Sequence, residues 1–424
     1  METNLISQDV GRIAQVIFQH AAKISKEREI SSIIRLNSDL ARDLVGAERC
    51  SVWLRDQDKN ELWTRVAHGM DVIRIPAGRG IVGACVYEQR PLLVNDVQND
   101  PRFFQNVDST SGFRTRSVLC VPLRADNHVI GALQLVNKDG GFIDEDTELL
   151  KFMALYAGNA IQAERLRAEA EAARLFRHEL DIARDVQSGL FPKDVKAPDL
   201  ECAGLCRQAK MIGGDYYDML ELQQGRFALT LGDVSGKSVA AAVLMASIHT
   251  LLRSFLMRSW VSLSDVITEL NKAVYANSTP ERYSTLFCGV LTADSGSLAF
   301  VNAGHVPPIL IRASDGRIER PAENDLPVGL LPLAKFQQHE LILEPGDLLI
   351  ALSDGVMEAE NDAHESPDPA VIDSVLFNVR HKPVRDIGVA LIEAVDRFCS
   401  GAEQFDDMTV VVLRVNGNPQ ARAS

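Results

Sequence analysis

The chain has 424 residues, of which 46% are hydrophobic, and its formal net charge is −14 at pH 7. At about 150 residues per domain this length indicates two or three domains, and the apolar fraction is that of folded rather than disordered chain. The acidic balance disfavours nonspecific binding to nucleic acid or to anionic membranes, so we expect neither as a partner.

The cysteine content indicates a reducing compartment. The chain has seven cysteines, an odd count without the dense spacing of a disulfide framework. Cys202 and Cys206 are spaced CxxxC with no second pair that would complete a zinc site. No run approaches the roughly 18 apolar residues of a transmembrane helix, and the first residues lack the features of a signal peptide. We therefore expect a cytoplasmic protein.

Helical periodicity dominates residues 5–45. One apolar stripe falls within 1–29, which we interpret as an N-terminal helix, and a second runs from Ile30 to Leu44. Apolar residues at three- and four-residue spacing form one face of a helix. Such a face packs on the core of its own domain or forms a dimer interface.

Between Cys50 and Val136 the apolar period shortens to that of β-strands. Strands are predicted at 51–54, 61–67, 92–94, 118–123 and 129–136, with a short helix at 81–87. Strands in succession, flanked by helices, are typical of an antiparallel sheet in the α+β class.

Residues 30–160 resemble a GAF domain, a module that binds small molecules and dimerises. The matching segments are AERCSVWL (47–54), IPAGRGIVGACV (75–86), RPLLVNDVQNDPRF (90–103) and GALQLVNK (131–138). The resemblance is closest to the branch that binds cyclic nucleotides, whose Asn-Lys, Phe and Asp-Glu signature is matched except that Thr147 stands where Glu is expected. It implies a cyclic nucleotide or another small ligand. The candidate ligand-binding residues are Arg114, Ser117, Asn137, Lys138 and Asp146.

A helical tract nearly free of glycine and proline covers residues 145–190. Two interleaved series of residues seven apart form a heptad seam, which Gln187 interrupts. The series are Leu166, Ala173 and Leu180, and Phe176, Ala183 and Leu190. We interpret residues 161–192 as a helical linker that forms a weak coiled coil in a homodimer; the alternative is a single helix on the neighbouring domain. Phe191-Pro192 ends the helix.

Strands and helices alternate from residue 193 to 416. Strands are predicted at 202–207, 227–231, 286–292, 297–302, 309–312, 338–343, 348–352 and 409–415, and helices at 239–257, 263–276 and 384–398. A glycine-bounded turn at 232–236 is predicted to carry Asp233. This order predicts an α/β sandwich of two sheets covered by helices. Within it, carboxylates stand beside glycines where apolar runs begin or end. They are Asp215, Asp233, Asp354, Asp406 and Asp407. A single Asp in a turn usually shapes that turn. Four such segments favour instead a site for a hard cation such as Mg²⁺ or Mn²⁺, which prefers oxygen ligands.

The order of these segments resembles the sporulation-protein-E-type branch of the PPM metal-dependent protein phosphatases. The matching motifs are GGDYYD (213–218), GDVSGKSVAA (232–241), NAGHVPP (302–308), LPVGL (326–330), SDGVMEAEN (353–361) and DDMTVVVL (406–413). Ser238 stands where this branch often has glycine. The resemblance implies two antiparallel sheets flanked by helices, and a phosphoserine/phosphothreonine protein phosphatase acting on an anti-anti-sigma-type phosphoprotein.

The same resemblance implies two Mn²⁺ or Mg²⁺ ions and assigns their ligands. Asp233 would bridge the ions, and the Val234 carbonyl, Asp354 and Asp406 would complete one of them. Asp215 would bind the other. Asp407 is the alternative to Asp406, because the paired aspartates leave the register open. Asp215, Asp233, Asp354 and Asp406 are also the candidate catalytic residues.

Other readings stay open. His305 is either a general acid or a hydrogen-bonded structural residue, Lys237 either meets an anionic substrate or is solvated, and Asp218 is interpreted as structural. The rival functions are a catalytically silent signalling scaffold and a hydrolase of small phosphoesters. We expect residues 417–424 to form a flexible tail.

Overall fold

The computed structural model describes residues 30–56, 58–66, 73–104, 113–126, 128–197, 199–258, 261–279, 281–321 and 323–416. The chain divides into two compact units between Leu175 and Phe176. The expected N-terminal helix at 1–29 and the tail at 417–424 lie outside the described residues. The other domain limits given above stay predictions.

The first unit is a six-stranded sheet with helices on both faces. Its strands lie in the order β3-β2-β1-β6-β5-β4, and every pair is antiparallel. The elements are α1 (Ile30–Val45), β1 (Ala47–Asp56), β2 (Glu61–Val66), β3 (Ile73–Pro76), α2 (Gly80–Glu88), β4 (Leu92–Val94), β5 (Val118–Ala125), β6 (His128–Lys138) and the first part of α3 (Asp144–Ser188). The α+β prediction for this part of the chain is confirmed.

Two apolar layers hold this unit together. On one face of the sheet, α1 and α3 bury Ile33 and Leu150 against strand residues such as Leu133. On the other face, α2 buries Ile81 and packs against Leu62. Burial of such side chains stabilises the fold by roughly 1.5–3 kcal/mol each.

Helix α3 is 45 residues long, which at 1.5 Å per residue is about 68 Å. It begins in the first unit and its last turns belong to the second. The helical tract expected at 145–190 is thus present as one continuous helix. Its coiled-coil pairing stays a prediction; Leu166 and Phe176 of the heptad series are exposed on this helix.

The second unit is a sandwich of two antiparallel sheets. One sheet has the order β15-β12-β11-β10-β9 and the other β14-β13-β16-β17-β8-β7. The elements after α3 are β7 (Val195–Lys196), β8 (Leu200–Arg207), β9 (Tyr216–Leu222), β10 (Arg226–Val234), α4 (Val239–Leu256), α5 (Leu263–Asn277), β11 (Ser284–Thr292), β12 (Ser297–Ala303), β13 (Ile309–Ile311), β14 (Ile318–Glu319), β15 (His339–Ile342), β16 (Leu348–Leu352), α6 (Asp354–Met357), α7 (Pro369–Val379), α8 (Val384–Cys399) and β17 (Met408–Val415).

The two sheets pack face to face, and helices cover their outer faces. Phe287 and Leu413 meet in the layer between the sheets. Outside, α4 and α5 bury Met245 and Ile267 on the first sheet, and α7 and α8 cover the second. The predicted α/β sandwich of two antiparallel sheets is confirmed.

The expectation that no apolar helix reaches membrane-spanning length was wrong for α4. Within the described part of the chain, Val239–Leu256 alone is long and apolar enough to cross a membrane by length and composition. The physical reason is its place in the sandwich: Met245, Ile248 and Leu252 are buried in the core between α4, α5 and the sheet. The buried core helix of a folded domain can be as long and as apolar as a membrane-spanning helix.

All seven cysteines are free thiols, and six of them are buried. Burial raises the pKa of Cys288 to about 12 and also raises the pKa of Cys202.

Candidate active site

Strand β10 carries Asp233 near its end. We expected Asp233 in a turn after the strand, but the strand continues to Val234, so that Asp233 pairs across the sheet with Thr285 on β11. The pairing of β10 with β9 ends at Gly232, whereas its pairing with β11 continues through Val234 and fixes the position of this carboxylate. A paired strand is a more rigid support for a ligand than a loop.

The Gly213-Gly214 segment brings Asp215 to Asp233. The Val234 N–H donates to the Gly214 carbonyl at 3.3 Å. A Cβ atom on Gly214 would lie 2.7 Å from the Val234 carbonyl oxygen and 3.0 Å from Asp233 Oδ1. Only glycine therefore allows the segment to approach Asp233 and the Val234 carbonyl this closely.

Asp215 is 1% exposed. The Thr409 hydroxyl donates to Asp215 Oδ2. Burial, followed by the negative charge of Asp233, raises the pKa of Asp215. The carboxylate is thus held in a fixed orientation beside a second carboxylate, an arrangement that a bound cation would stabilise.

Asp354 and Asp406 enter from the second sheet. Asp354 starts the short helix α6, directly after β16 and Ser353. Burial and the charge of Asp406 raise the pKa of Asp354. Asp406 precedes β17 and forms an ion pair of 2.8 Å with the Lys237 ammonium.

Asp407 has a different environment from Asp406. It is buried, and its two carboxylate oxygens accept from the backbone N–H groups of Ala209 at 2.8 Å and Gly214 at 2.9 Å. These bonds tie the start of β17 to the segment before Asp215. This geometry favours Asp406 over Asp407 as the ligand.

The charges of these carboxylates act on one another. Burial, and then the charges of Asp354, Asp406 and Asp407, raise the pKa of Asp233 to about 7. Like charges brought together in this way indicate that an external cation would be bound. The donors are all oxygens, and Gly214 leaves the Val234 carbonyl accessible, so the residues fit a hard divalent cation. Among the described residues, no three His, Cys, Asp or Glu side chains are already arranged around one ion position.

Several supporting residues were not identified from the sequence. Thr409 follows the Asp-Asp pair, and Ser353 Oγ bridges the Asp407 carbonyl (3.0 Å) and the Thr409 N–H (2.8 Å). Both stand inside motifs that were recognised, and a polar residue where a core-facing position is expected was the available signal. Asp218 is structural, as interpreted: its carboxylate accepts from Arg253 and from the Met219 N–H.

His305 is a buried structural residue. The ring Nδ1 of His305 is 2.8 Å from Thr285 Oγ1. The backbone N–H of His305 donates to Asn302 Oδ1, and the Asn302 side-chain amide donates back to the backbone carbonyl of His305. Burial lowers the pKa of His305 to about 4. A neutral imidazole at physiological pH does not fit the role of general acid.

In the first unit, the five candidate ligand residues come together where β5 begins and β6 ends. The buried Asn137 side chain accepts from the Arg116 N–H at 2.7 Å and donates to the Arg114 carbonyl at 3.0 Å. The Lys138 ammonium contacts Asp146 Oδ2 at 2.6 Å, and the Lys138 N–H donates to Ser117 Oγ at 3.3 Å. Lys138 and Asp146 thus form a salt bridge, and these polar groups bind one another; their binding to a ligand stays a prediction.

Comparisons with known proteins agree with both resemblances. Residues 223–416 match the family Stage II sporulation protein E (SpoIIE), and residues 29–161 match the GAF domain family. Protein IcfG of Synechocystis sp. is 27% identical over 313 residues, covering 66% of this chain and 48% of IcfG. Phosphoserine phosphatase RsbU of Bacillus subtilis is 28% identical over 240 residues, covering 56% of this chain and 70% of RsbU. This chain therefore spans about half the length of IcfG.

A solved structure resembles the fold of this chain. The SiaA-PP2C domain of Pseudomonas aeruginosa superposes with a TM-score of 0.50 at 15% identity, covering 58% of this chain and all of that domain. From the two family matches and the fold, the chain combines a domain of the GAF type at residues 29–161 with a domain of the SpoIIE type at residues 223–416.

Proposed function

We propose that this chain is a metal-dependent phosphoserine/phosphothreonine protein phosphatase. The observation that carries the proposal is the group of carboxylates around Asp233, whose pKa the neighbouring charges raise to about 7. A folded protein keeps buried like charges together when a cation or a substrate uses them.

The proposed ligands are those that the family resemblance implies, and the charges of Asp354 and Asp406 acting on Asp233 support them. Asp233, the Val234 carbonyl, Asp354 and Asp406 would hold one Mn²⁺ or Mg²⁺ ion, and Asp215 with Asp233 would hold the second. When bound, two such ions would lower the pKa of a water molecule and offset the charge on the phosphoryl oxygens.

The remaining residues position these ligands. The Thr409 hydroxyl orients Asp215, and Asp407 holds the backbone at Ala209 and Gly214. Lys237 stands at the rim, 2.8 Å from Asp406. None of these roles requires a covalent enzyme intermediate, because the attacking group is water.

The substrate and the regulation are the finer part of the proposal. A phosphorylated protein of the anti-anti-sigma type is the proposed substrate, supported by the relative named phosphoserine phosphatase RsbU. The GAF domain would sense a small ligand, with a cyclic nucleotide as the first candidate, and act through α3. Homodimerisation is supported by Leu166 and Phe176, which belong to the heptad series and are exposed on that helix. We propose that the protein works in the cytoplasm.

The test is dephosphorylation of a phosphoserine protein by the full-length chain with Mn²⁺, compared with Asp233→Asn and with the exposed-site control Asp362→Asn. We expect activity that EDTA removes, that Asp233→Asn lacks and that the control keeps. A chromogenic aryl phosphate in parallel separates a protein phosphatase from a hydrolase of small phosphoesters. A folded chain that binds Mn²⁺ and hydrolyses neither substrate would point to a silent scaffold.

Cyclic nucleotides added to the same assay test the sensor. We expect a change in rate with the full-length chain that Asp146→Asn reduces, because Asp146 pairs with Lys138 at the end of β6. An unchanged rate and no binding of cyclic nucleotide by calorimetry would refute this choice of ligand.

A further inference from the structure

The last turn of α3 lies against the segment that carries Asp215. Gln187, in that turn, is 5% exposed. Its amide donates to the Gly213 carbonyl at 2.8 Å, and its carbonyl accepts from the Gly213 N–H at 3.2 Å. The Gln208 side chain donates to the same Gln187 oxygen at 2.8 Å. Gln187 therefore holds both backbone polar groups of Gly213.

Gly213 is held from its other side as well. A Cβ atom at this position would lie 2.2 Å from Asp407 Oδ2, and the next residue, Gly214, donates its N–H to that oxygen at 2.9 Å. The backbone is thus fixed between Gln187 and Asp407, two residues before Asp215. Because a Cβ atom does not fit at position 213, a side chain there cannot take over the hydrogen bonds that Gln187 makes to this backbone.

A second contact fixes the same segment after Asp215. Phe191, just past the end of α3, stacks on Tyr217 with ring centroids 4.9 Å apart and an angle of 11° between the planes. Phe191 and Leu190 also pack on the apolar core of the sandwich. The end of α3 and the residues just after it thus contact the segment 213–217 on both sides of Asp215, through Gln187 before it and Phe191 after it.

Gln187 occupies a position in the heptad series where an apolar residue would favour helix pairing. A buried amide is tolerated because three hydrogen bonds satisfy it. Outer residues that orient a ligand typically change metal affinity by about 10- to 100-fold when removed. Gln187 therefore interrupts the apolar heptad series, and its side chain bonds to the Gly213 backbone instead of to a second helix.

We propose that Gln187 is a positioning residue: it fixes the Gly213-Gly214 backbone so that Asp215 is placed for a divalent cation, and the last turn of α3 must be formed for this to happen. This rests on the proposed function in naming the cation site and deepens it by naming the element through which the linker acts. Unwinding or rotation of the last turn would withdraw Gln187 and release Asp215.

The test uses the full-length chain and Gln187→Met, which keeps an unbranched side chain with a similar helix propensity. Val186→Met is the matched control, because Val186 is the preceding residue on the same turn and is 68% exposed. Mn²⁺ binding is measured by calorimetry, and hydrogen exchange is measured on the metal-free protein at residues 211–217. Gln187→Glu, which keeps the acceptor oxygens, is the conservative variant.

We expect Gln187→Met to weaken Mn²⁺ binding by about 10-fold or more and to speed exchange at residues 213–215. Val186→Met should match the wild type, and Gln187→Glu should lie between them. Wild-type Mn²⁺ affinity together with wild-type exchange in Gln187→Met would overturn the proposal. If Gln187→Met does not fold, Gln208→Ala, which removes one of the three bonds, should show a smaller loss of the same kind, and no loss overturns it.

These readouts separate the two proposals. A wild-type chain that binds Mn²⁺ but hydrolyses no phosphoprotein refutes the phosphatase, while the affinity and exchange of the variants still decide the role of Gln187. A wild-type chain that binds no Mn²⁺ overturns both.

Discussion

Replacing Asp233 by Asn should stabilise the metal-free protein, although most substitutions of half-buried residues destabilise. The pKa of Asp233 is raised from 3.8 to about 7 by burial and by the charges of Asp354, Asp406 and Asp407. A raised pKa in the folded state means that the folded protein binds the proton more tightly than the unfolded chain does. The stability from this group is present at low pH and is lost as the pH rises from about 4 through about 7.

The magnitude follows from the two pKa values. The difference between 3.8 and about 7 corresponds to about 4 kcal/mol at pH 8, at about 1.4 kcal/mol per pH unit. Neighbouring carboxylates adjust their own protonation, so we expect about 2–4 kcal/mol. Asn is neutral and lacks this cost, so Asp233→Asn in EDTA should exceed the wild type by this amount at pH 8 and match it near pH 4.

The assay is urea unfolding of the full-length chain, read by hydrogen exchange at the peptides of β10 and β11, so that only the second unit is scored. Excess Mn²⁺ should reverse the order, because the wild type gains binding energy that the variant does not. Asp362→Asn, at an exposed site, serves as the control and should behave as the wild type. Equal or lower stability of Asp233→Asn in EDTA at pH 8 would refute the reasoning.

Three further predictions concern the neighbours of Asp233. Asp407→Ala should lower the free energy of unfolding by about 3 kcal/mol, because it leaves two backbone N–H groups without their carboxylate acceptor. Asp406→Ala should instead weaken Mn²⁺ binding without this loss of stability. Equal effects of the two variants in calorimetry and in urea unfolding would contradict the choice of Asp406 as the ligand. The free energy of unfolding of the wild type should fall by about 3 kcal/mol between pH 7.5 and 4.5, because the pKa of His305 is lowered to about 4 and protonation therefore favours the unfolded chain. His305→Gln should remove this fall. Parallel curves of stability against pH for the two proteins would rule this out. Gly355→Ala should abolish Mn²⁺ binding, because the new Cβ would lie 2.1 Å from the Asp407 carbonyl oxygen, whereas Gly78→Ala meets no atom within 4 Å and should bind as the wild type does.

The fold was largely predictable because its strands and helices carry clear periodicity. The strands around Val52 and Leu229 and the helices α4, α5 and α8 were expected close to their observed positions. Strand β9 was not expected, because Tyr216–Leu222 is buried at nearly every position and shows no alternation. Helix α7 was also missed, although Asp368 at its N-cap and Pro369 at its first position are a usable start signal.

The motifs of the candidate site could be predicted from the sequence, but the hydrogen bonds that connect them could not. The sequence could not distinguish Asp406 from Asp407, because the choice depends on which carboxylate faces the Ala209 and Gly214 N–H groups, almost 200 positions earlier in the chain. Gln187 was visible only as an interruption of the heptad series, since its partner Gly213 lies 26 positions later, beyond strands β7 and β8. Contacts between distant segments decide these roles, and local periodicity does not encode them.

The buried free thiols make site-selective labelling of this protein practical. Thiolates are the species that react with maleimides, and burial raises the pKa of thiols such as Cys202 and Cys288. A single new cysteine at an exposed position of α3, such as Leu166 or Phe176, would therefore take up a spin label ahead of the native residues. Distances between labels in a mixed sample would then report whether two copies of the chain align their helices, with all seven native cysteines left in place.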